Sequence, residues 1–83
     1  MRTKLWFVYV IQSFELLHYV GMTRGLKRRL AQHNSGEGGW TRRGTMWKVM
    51  HYERFENSID ARNREKYFKN NAGKEWLRRR GII

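Results

Sequence analysis

The 83-residue sequence has no cysteine and no proline, and acidic residues are scarce. Without cysteine the protein can form no disulfide, use no thiol nucleophile and hold no Cys-ligated zinc or iron–sulfur centre. No apolar run approaches the roughly 20 residues that a membrane-spanning helix needs. The apolar segment near the N-terminus is too short for a signal peptide and lacks a small-residue cleavage site. These absences predict a complete cytoplasmic protein that does not associate with membranes.

Basic and aromatic residues dominate what is present. Eighteen Lys and Arg against seven Asp and Glu give a formal charge of +11, which attracts polyanions and above all nucleic acid. A basic surface that serves only solubility is the alternative. Four Trp, four Tyr and four Phe can form a compact core, since each aromatic side chain buries roughly 150–250 Å². We therefore expect a single domain over residues 1–83 with a nucleic-acid partner.

Hydropathy patterns predict an α+β fold in the order β-β-α-β-α-α. Residues 5–11 are apolar on both faces, which is typical of a central strand. The remaining predicted elements are a strand over 16–21, a helix over 23–34, a strand over 47–55, a helix from 58 to about 71 and a short helix over 74–80. Thr23 is expected to cap the first helix, and Asn57 and Ser58 are expected to cap the second, which Gly73 ends. The side chains of the strand over 47–55 are expected to alternate between two faces. Three strands of this length would form a small antiparallel sheet flanked by helices.

The first predicted helix carries a basic face. Arg29 and His33 are four residues apart and project from one side, beside an apolar stripe of Leu26 and Leu30. A solvated basic helix, with His33 merely favouring the helix dipole, is the alternative. The residues that we expect to contact nucleic acid are Arg24, Lys27, Arg28, Trp40, Arg42 and Arg43.

The segment over residues 35–45 is rich in glycine and shows no apolar periodicity, which predicts a loop. Trp40 could stack on a nucleic-acid base while Arg42 and Arg43 contact phosphates. Alternatively, Trp40 folds back as a lid on the core. The sequence does not choose between these two interpretations.

One acid lies on the apolar stripe of the second predicted helix. Ala61, Glu65, Phe68 and Ala72 share a face, with Glu65 in its middle. Because an isolated buried carboxylate is costly, Glu65 must be ion-paired, hydrogen-bonded or metal-bound. The plain alternative to a functional role is an ion pair with Arg62 or Lys69 on adjacent turns.

Five positions in this layout resemble the GIY-YIG nuclease family. Tyr19-Val20-Gly21 is similar to the second motif of the family name, and Phe7-Val8-Tyr9 keeps the Tyr of the first. Arg29 and His33 follow at the family's spacing, and Glu65 matches the acid of its later helix. The small stand-alone bacterial members are the most similar. The chain departs from many members by having Gly25 before the helix, where they carry an acid.

The resemblance implies a set of roles. Glu65 would bind one Mg²⁺ or Mn²⁺, Arg29 would neutralise transition-state charge, and Tyr9 would be the base or water-orienting group, its pKa lowered by nearby positive charge. Tyr19 would bind phosphate or the attacking water, and His33 would share either task. An Asn that supports the metal site in some members cannot be matched to Asn70 or Asn71.

These considerations predict a metal-dependent endonuclease that hydrolyses DNA phosphodiester bonds by a one-metal mechanism. A catalytically silent nucleic-acid-binding module of the same fold is the alternative, and a protein-interaction domain is a more distant one. Because the chain has no attached DNA-binding domain, target choice would come from DNA structure or from a protein partner.

Overall fold

A computed structural model describes residues 4–83 of the chain. Its elements are β1 (Trp6–Gln12), β2 (His18–Thr23), α1 (Leu26–Asn34), a 3₁₀ helix (Gly39–Arg43), β3 (Lys48–Phe55), α2 (Ser58–Lys69) and α3 (Asn71–Arg79). This order confirms the predicted α+β arrangement. None of the helices within residues 4–83 is long and apolar enough to cross a membrane.

The three strands form one antiparallel sheet in the order β2-β1-β3. The unbroken apolar sequence of β1 explains its central place, because both of its faces are covered. Val8 and Val10 face α2 and α3, and they form a core with Ala61, Phe68 and Leu77. Tyr9 and Ile11 point to the opposite face, where Trp47 and partly buried residues of α1 cover them.

A bulge interrupts the pairing of β1 with β3. Val10 pairs with His51 but Ile11 pairs with Val49, so that β3 has an extra residue at this point. Val49 therefore packs with Ile11, while the His51 ring contacts Phe68 on the other face. The regular alternation that we expected along residues 47–55 is wrong at this point, because a bulge reverses the side-chain parity.

The first helix begins later than predicted. Its N-cap is Gly25, which offers no side chain, whereas Thr23 remains the last residue of β2. The Thr23 Oγ1 accepts the Gly25 N–H at 3.1 Å and so closes the strand-to-helix turn. The prediction that Thr23 caps the helix is therefore wrong, because its hydroxyl serves the turn before the helix.

The second and third helices meet at Asn70, not at Gly73. Asn57 caps α2 as predicted, since its Oδ1 accepts the Asp60 N–H at 2.8 Å. Asn70 has an extended backbone that ends α2, and its Oδ1 accepts the Gly73 N–H at 2.9 Å to begin α3. Gly73 lies inside α3, so the prediction that it ends the preceding helix is wrong.

The predicted loop over residues 35–45 contains the 3₁₀ helix. Thr41 is fully buried at its centre, and the Thr41 carbonyl accepts the indole N–H of Trp47 at 2.9 Å. Side-chain hydrogen bonds of this kind leave no trace in hydropathy, which explains why the segment looked irregular. They fix the 3₁₀ helix against α1 and the start of β3.

Candidate active site

Tyr9 and Tyr19 come together where β1 and β2 pair. Tyr9 lies opposite Gly21, and its hydroxyl and ring fill the space that a side chain at position 21 would occupy. A Cβ at Gly21 would lie 2.5 Å from the Tyr9 hydroxyl oxygen, which is closer than real Cβ contacts allow. The Gly of the second family motif is therefore what lets Tyr9 lie across β2.

The Tyr9 hydroxyl leads into a chain of hydrogen bonds, which we call the buried polar chain. The Tyr9 oxygen lies 2.8 Å from His33 Nε2, and His33 Nδ1 lies 2.7 Å from Thr41 Oγ1. All three side chains are at most 1% exposed. Gly38 makes this possible, because a Cβ there would collide with Thr41 and His33. Sequence reasoning missed Thr41 and Gly38, since neither stands in a motif.

Burial sets the protonation states of this chain. It raises the pKa of Tyr9 to about 12, although Arg29 opposes the rise. Burial also lowers the pKa of His33, and the nearby Arg29 charge lowers it further, so His33 is neutral at pH 7. Arg29 lowers the Tyr9 pKa as we expected, but burial outweighs it, so the pKa is raised and the overall lowering that we expected is wrong. The alternative in which His33 only favours the helix dipole requires a protonated ring, so it is wrong as well.

Tyr19 and Trp40 form an aromatic wall beside the buried polar chain. The Tyr19 ring lies 5.1 Å from the His33 ring and stacks on Trp40 at 6.2 Å with an interplanar angle of 23°. Trp40 also contacts Trp47, yet 41% of it stays exposed, and the Arg43 guanidinium lies 5.4 Å from its ring centroid. Trp40 therefore covers part of the core and still presents aromatic surface to solvent.

Glu65 approaches the same place from α2. It is close enough to Tyr9 for its charge to add to the rise in the Tyr9 pKa. Its side chain is 14% exposed and faces two cations, with Lys69 Nζ 3.2 Å from Oε2 and Arg62 Nε 3.6 Å from Oε1. The structure thus contains both ion pairs that formed the plain alternative for this acid. The sequence analysis assigned Lys69 only a role as an ion-pair partner of Glu65.

A single carboxylate of this kind fits a hard divalent cation. Within residues 4–83, no three His, Cys, Asp or Glu side chains converge on one point. Mg²⁺ is often held by one or two carboxylates, with waters and substrate phosphates completing the coordination. Lys69 already brings a cationic group to Glu65, which shows that a positive charge can be accommodated there. Glu65 is the residue that would hold the metal.

Arg29 lies at the edge of the buried polar chain. It is partly exposed, its Nη1 donates to Gln32 Oε1 at 2.9 Å, and its charge acts on both Tyr9 and His33. A guanidinium in this place can neutralise phosphate charge while its stem contacts the protein.

The basic residues expected at a nucleic-acid interface surround α1 and the 3₁₀ helix. Five are exposed, and none of the five forms an ion pair in the part of the chain that the structure describes; they are Arg24, Lys27, Arg28, Arg42 and Arg43. Arg24 lies over the Trp6 ring at 4.8 Å. A cleft of about 220 Å³ lies beside the aromatic wall, with Tyr19, Trp40, Lys69 and Lys74 among its lining residues.

The chain matches the GIY-YIG catalytic domain over residues 5–79. The chain belongs to the GIY-YIG family. It is 37% identical to a UPF0213 protein of Pediococcus acidilactici over 83 residues, covering 93% of this chain and 85% of the relative. It is also 37% identical to a UPF0213 protein of Streptococcus pyogenes serotype M3 over 70 residues, covering 83% and 76%. No solved structure gives a significant match.

Family membership confirms the resemblance read from the sequence. GIY-YIG domains are nuclease domains, which indicates a nucleic-acid substrate. The structure brings Tyr9, Tyr19, Arg29 and His33 together on the face of the sheet that α1 covers, and Glu65 approaches Tyr9 from α2. Their individual roles stay predictions.

Proposed function

We propose that this GIY-YIG protein is a metal-dependent endonuclease that hydrolyses DNA phosphodiester bonds with one Mg²⁺ or Mn²⁺. The observation that carries the proposal is the hydrogen bond from Tyr9 to a neutral, buried His33, beside Arg29 and Glu65. A buried polar chain of this kind is costly to build, and it contains Tyr9 and His33, two of the positions that resemble the family motifs, within the span that matches the GIY-YIG catalytic domain. An ordinary core would be apolar here.

Glu65 is the proposed metal ligand. When bound, the divalent cation would act as a Lewis acid on the scissile phosphate and stabilise the leaving oxygen. The Glu65 side chain is 14% exposed and is paired with Lys69 and Arg62, so the proposed ligand is a partly shielded carboxylate on α2.

Tyr9 and His33 are proposed to move the proton of the attacking water. The proposal uses the neutral tautomer of His33 in which Nε2 accepts the Tyr9 O–H and Nδ1–H donates to Thr41 Oγ1, across the two short contacts that these atoms make. As water attacks phosphorus, its proton passes to the Tyr9 oxygen while the Tyr9 proton passes to His33 Nε2. The high pKa of Tyr9 is then no obstacle, because the phenol need not be ionised before the reaction.

Arg29 and Tyr19 are proposed to bind the phosphate. A partly exposed guanidinium can donate two parallel hydrogen bonds to phosphate oxygens as their charge grows. Tyr19 lies against both His33 and Trp40, so its hydroxyl is fixed by aromatic packing. Arg24, Lys27, Arg28, Arg42 and Arg43 would contact flanking phosphates, and the exposed surface of Trp40 would stack on a base.

Cleavage of labelled DNA tests this proposal. The substrates would be single strands, duplexes, flaps and branched structures, each with Mg²⁺, Mn²⁺ or EDTA. We expect metal-dependent cleavage of at least one substrate, and Glu65→Gln should abolish it while DNA binding is kept.

Glu75→Gln is the matched control. Glu75 pairs with Arg78 and Arg79 on α3, so the change removes the same charge and similar ion pairs, and cleavage should persist. Cleavage by Glu65→Gln at the wild-type rate would contradict the metal assignment. DNA binding without cleavage of any substrate would favour the silent binding module instead.

A further inference from the structure

Lys69 occupies the carboxylate that the proposed mechanism needs for a metal. Its ammonium nitrogen lies 3.2 Å from Glu65 Oε2, four residues away along α2. The side chain of Lys69 is 51% exposed, whereas that of Glu65 is 14% exposed. A flexible, solvated cation therefore covers a carboxylate that is itself mostly buried.

The same ammonium also faces the aromatic wall. Lys69 Nζ lies 6.0 Å from the centroid of the Tyr19 ring, and Lys69 lines the cleft next to Trp40. It thus lies between the candidate metal ligand and the surface where we place the nucleic acid. Arg62, the other partner of Glu65, is farther at 3.6 Å and is also held by Met22 Sδ at 3.4 Å.

We propose that Lys69 is an exchangeable counterion that couples metal binding to nucleic-acid binding. In the free protein its ammonium neutralises Glu65. A divalent cation takes the carboxylate, and the released ammonium turns into the cleft and contacts a phosphate of the substrate. This inference rests on the proposed function, because it takes Glu65 to be the metal ligand.

The chemistry of lysine suits such an exchange better than that of arginine. Lysine carries a compact ammonium with three rotatable donors on a flexible stem, so it can change partners without losing a fixed geometry. An ammonium and a divalent cation repel each other at one carboxylate, so Lys69 must weaken metal binding to the free protein. Because Lys69 is half-exposed, its ion pair with Glu65 contributes little free energy. Lys69 should therefore weaken the affinity for the metal only severalfold.

Mn²⁺ titration followed by the EPR signal of free Mn²⁺ tests the first half of the proposal without requiring activity. Wild type, Lys69→Met, Lys66→Met and Glu65→Gln would be compared. Lys66 lies on the same helix next to Glu65 and is exposed, so Lys66→Met makes the same charge change without removing that ion pair. We expect Lys69→Met to bind Mn²⁺ about fivefold more tightly than wild type, and Lys66→Met to stay within about twofold.

The outcomes separate the two proposals. If wild type binds Mn²⁺ more tightly than Glu65→Gln but Lys69→Met and Lys66→Met have equal affinities, the counterion role of Lys69 is wrong and the metal assignment stands. If wild type and Glu65→Gln bind Mn²⁺ equally, the metal assignment itself fails. The Lys69 side chain is half-exposed, so its replacement should not disturb the fold. Circular dichroism would verify that Lys69→Met folds.

DNA binding with and without Ca²⁺, a divalent cation chosen to limit cleavage, tests the second half. In wild type the metal should strengthen DNA binding, partly because it frees an additional cation for the phosphates. We expect this strengthening to be about fivefold smaller in Lys69→Met than in Lys66→Met. Equal strengthening in both variants would overturn the coupling.

Discussion

At His33, one buried imidazole connects three segments of the chain. Tyr9 from β1 meets one ring nitrogen, and Thr41 from the 3₁₀ helix meets the other. Because both ring nitrogens are engaged, the proposal has His33 act on the substrate through the Tyr9 hydroxyl, although the Tyr9 side chain is as buried as the His33 ring. The proposed chemistry therefore depends on the Tyr9 hydroxyl.

Tyr9→Phe tests that dependence. Removing the hydroxyl should lower cleavage by about 10²–10⁴-fold, the usual contribution of a positioned acid or base. The free energy of unfolding should fall by about 1–3 kcal/mol, because His33 Nε2 loses its buried partner. Rates would come from gel assays and stability from urea denaturation. Tyr52→Phe is the control, since Tyr52 is the cross-strand neighbour of Tyr9 but 53% exposed, and full loss of activity there would contradict the assignment.

The neutral state of His33 also predicts how stability depends on pH. Its folded pKa lies below the ordinary value of 6.5, so the unfolded chain binds a proton at a pH where the folded protein does not. The free energy of unfolding should therefore decrease as the pH falls through 6.5, and it should be fully restored above that value.

Urea denaturation between pH 5 and about pH 8 measures this slope. His33→Gln should flatten it. His18→Gln should keep most of it, although burial lowers the pKa of His18 as well. An unchanged slope in His33→Gln would show that another group is responsible.

The contact between Tyr9 and His33 lies beyond what residue patterns can predict. The two positions are 24 residues apart, and their approach depends on strand register and on the absence of side chains at Gly21 and Gly38. The motif spacing identified both residues, whereas burial decided their protonation. The pKa of Tyr9 is raised and the pKa of His33 is lowered, and both shifts could be found only from the structure.

Among the elements, Asn70 controls the junction of α2 and α3. It ends one helix and caps the next, so the chain changes direction without proline and without a glycine in the turn itself. The apolar periodicity of Ala61, Phe68 and Ala72 continues across this point, which is why the sequence predicted a longer helix to about residue 71. The order of elements was predictable from hydropathy, but the starts of α2 and α3 depend on single side-chain hydrogen bonds of Asn57 and Asn70.

Asn70→Ala should show this capping role. We expect a loss of about 0.5–2 kcal/mol in the free energy of unfolding, typical of a lost N-cap. Asn71→Ala is the matched control, because the next residue is exposed within α3 and should change stability by less than about 0.5 kcal/mol. Equal effects in urea denaturation would contradict the capping assignment.

For the whole molecule, the charge of +11 predicts binding to nucleic acid that weakens steeply with salt. Each phosphate contact adds about 0.9 to the slope of log affinity against log salt for duplex DNA, and about 0.7 for single strands. Arg42→Gln with Arg43→Gln should therefore reduce the slope by about 1.8 for duplex DNA and about 1.4 for single strands in fluorescence anisotropy titrations.

The paired substitution Arg78→Gln with Arg79→Gln removes the same total charge. Those arginines are engaged with Glu75, so their loss should reduce the slope much less. Equal reductions of the slope by the two double variants would mean that net charge alone, and not phosphate contact by the 3₁₀ helix, determines the salt dependence.

The account as a whole depends on a divalent cation at Glu65. The most direct measurement is NMR of the ¹⁵N-labelled protein with substoichiometric Mn²⁺, in which paramagnetic broadening reports distance from the metal. The account predicts that the amides of Glu65, Tyr9 and Arg29 broaden first, and that Glu65→Gln removes this effect. If these amides stay sharp up to millimolar Mn²⁺ while the protein remains folded, the one-metal nuclease is contradicted and the non-cleaving nucleic-acid-binding module is the better account.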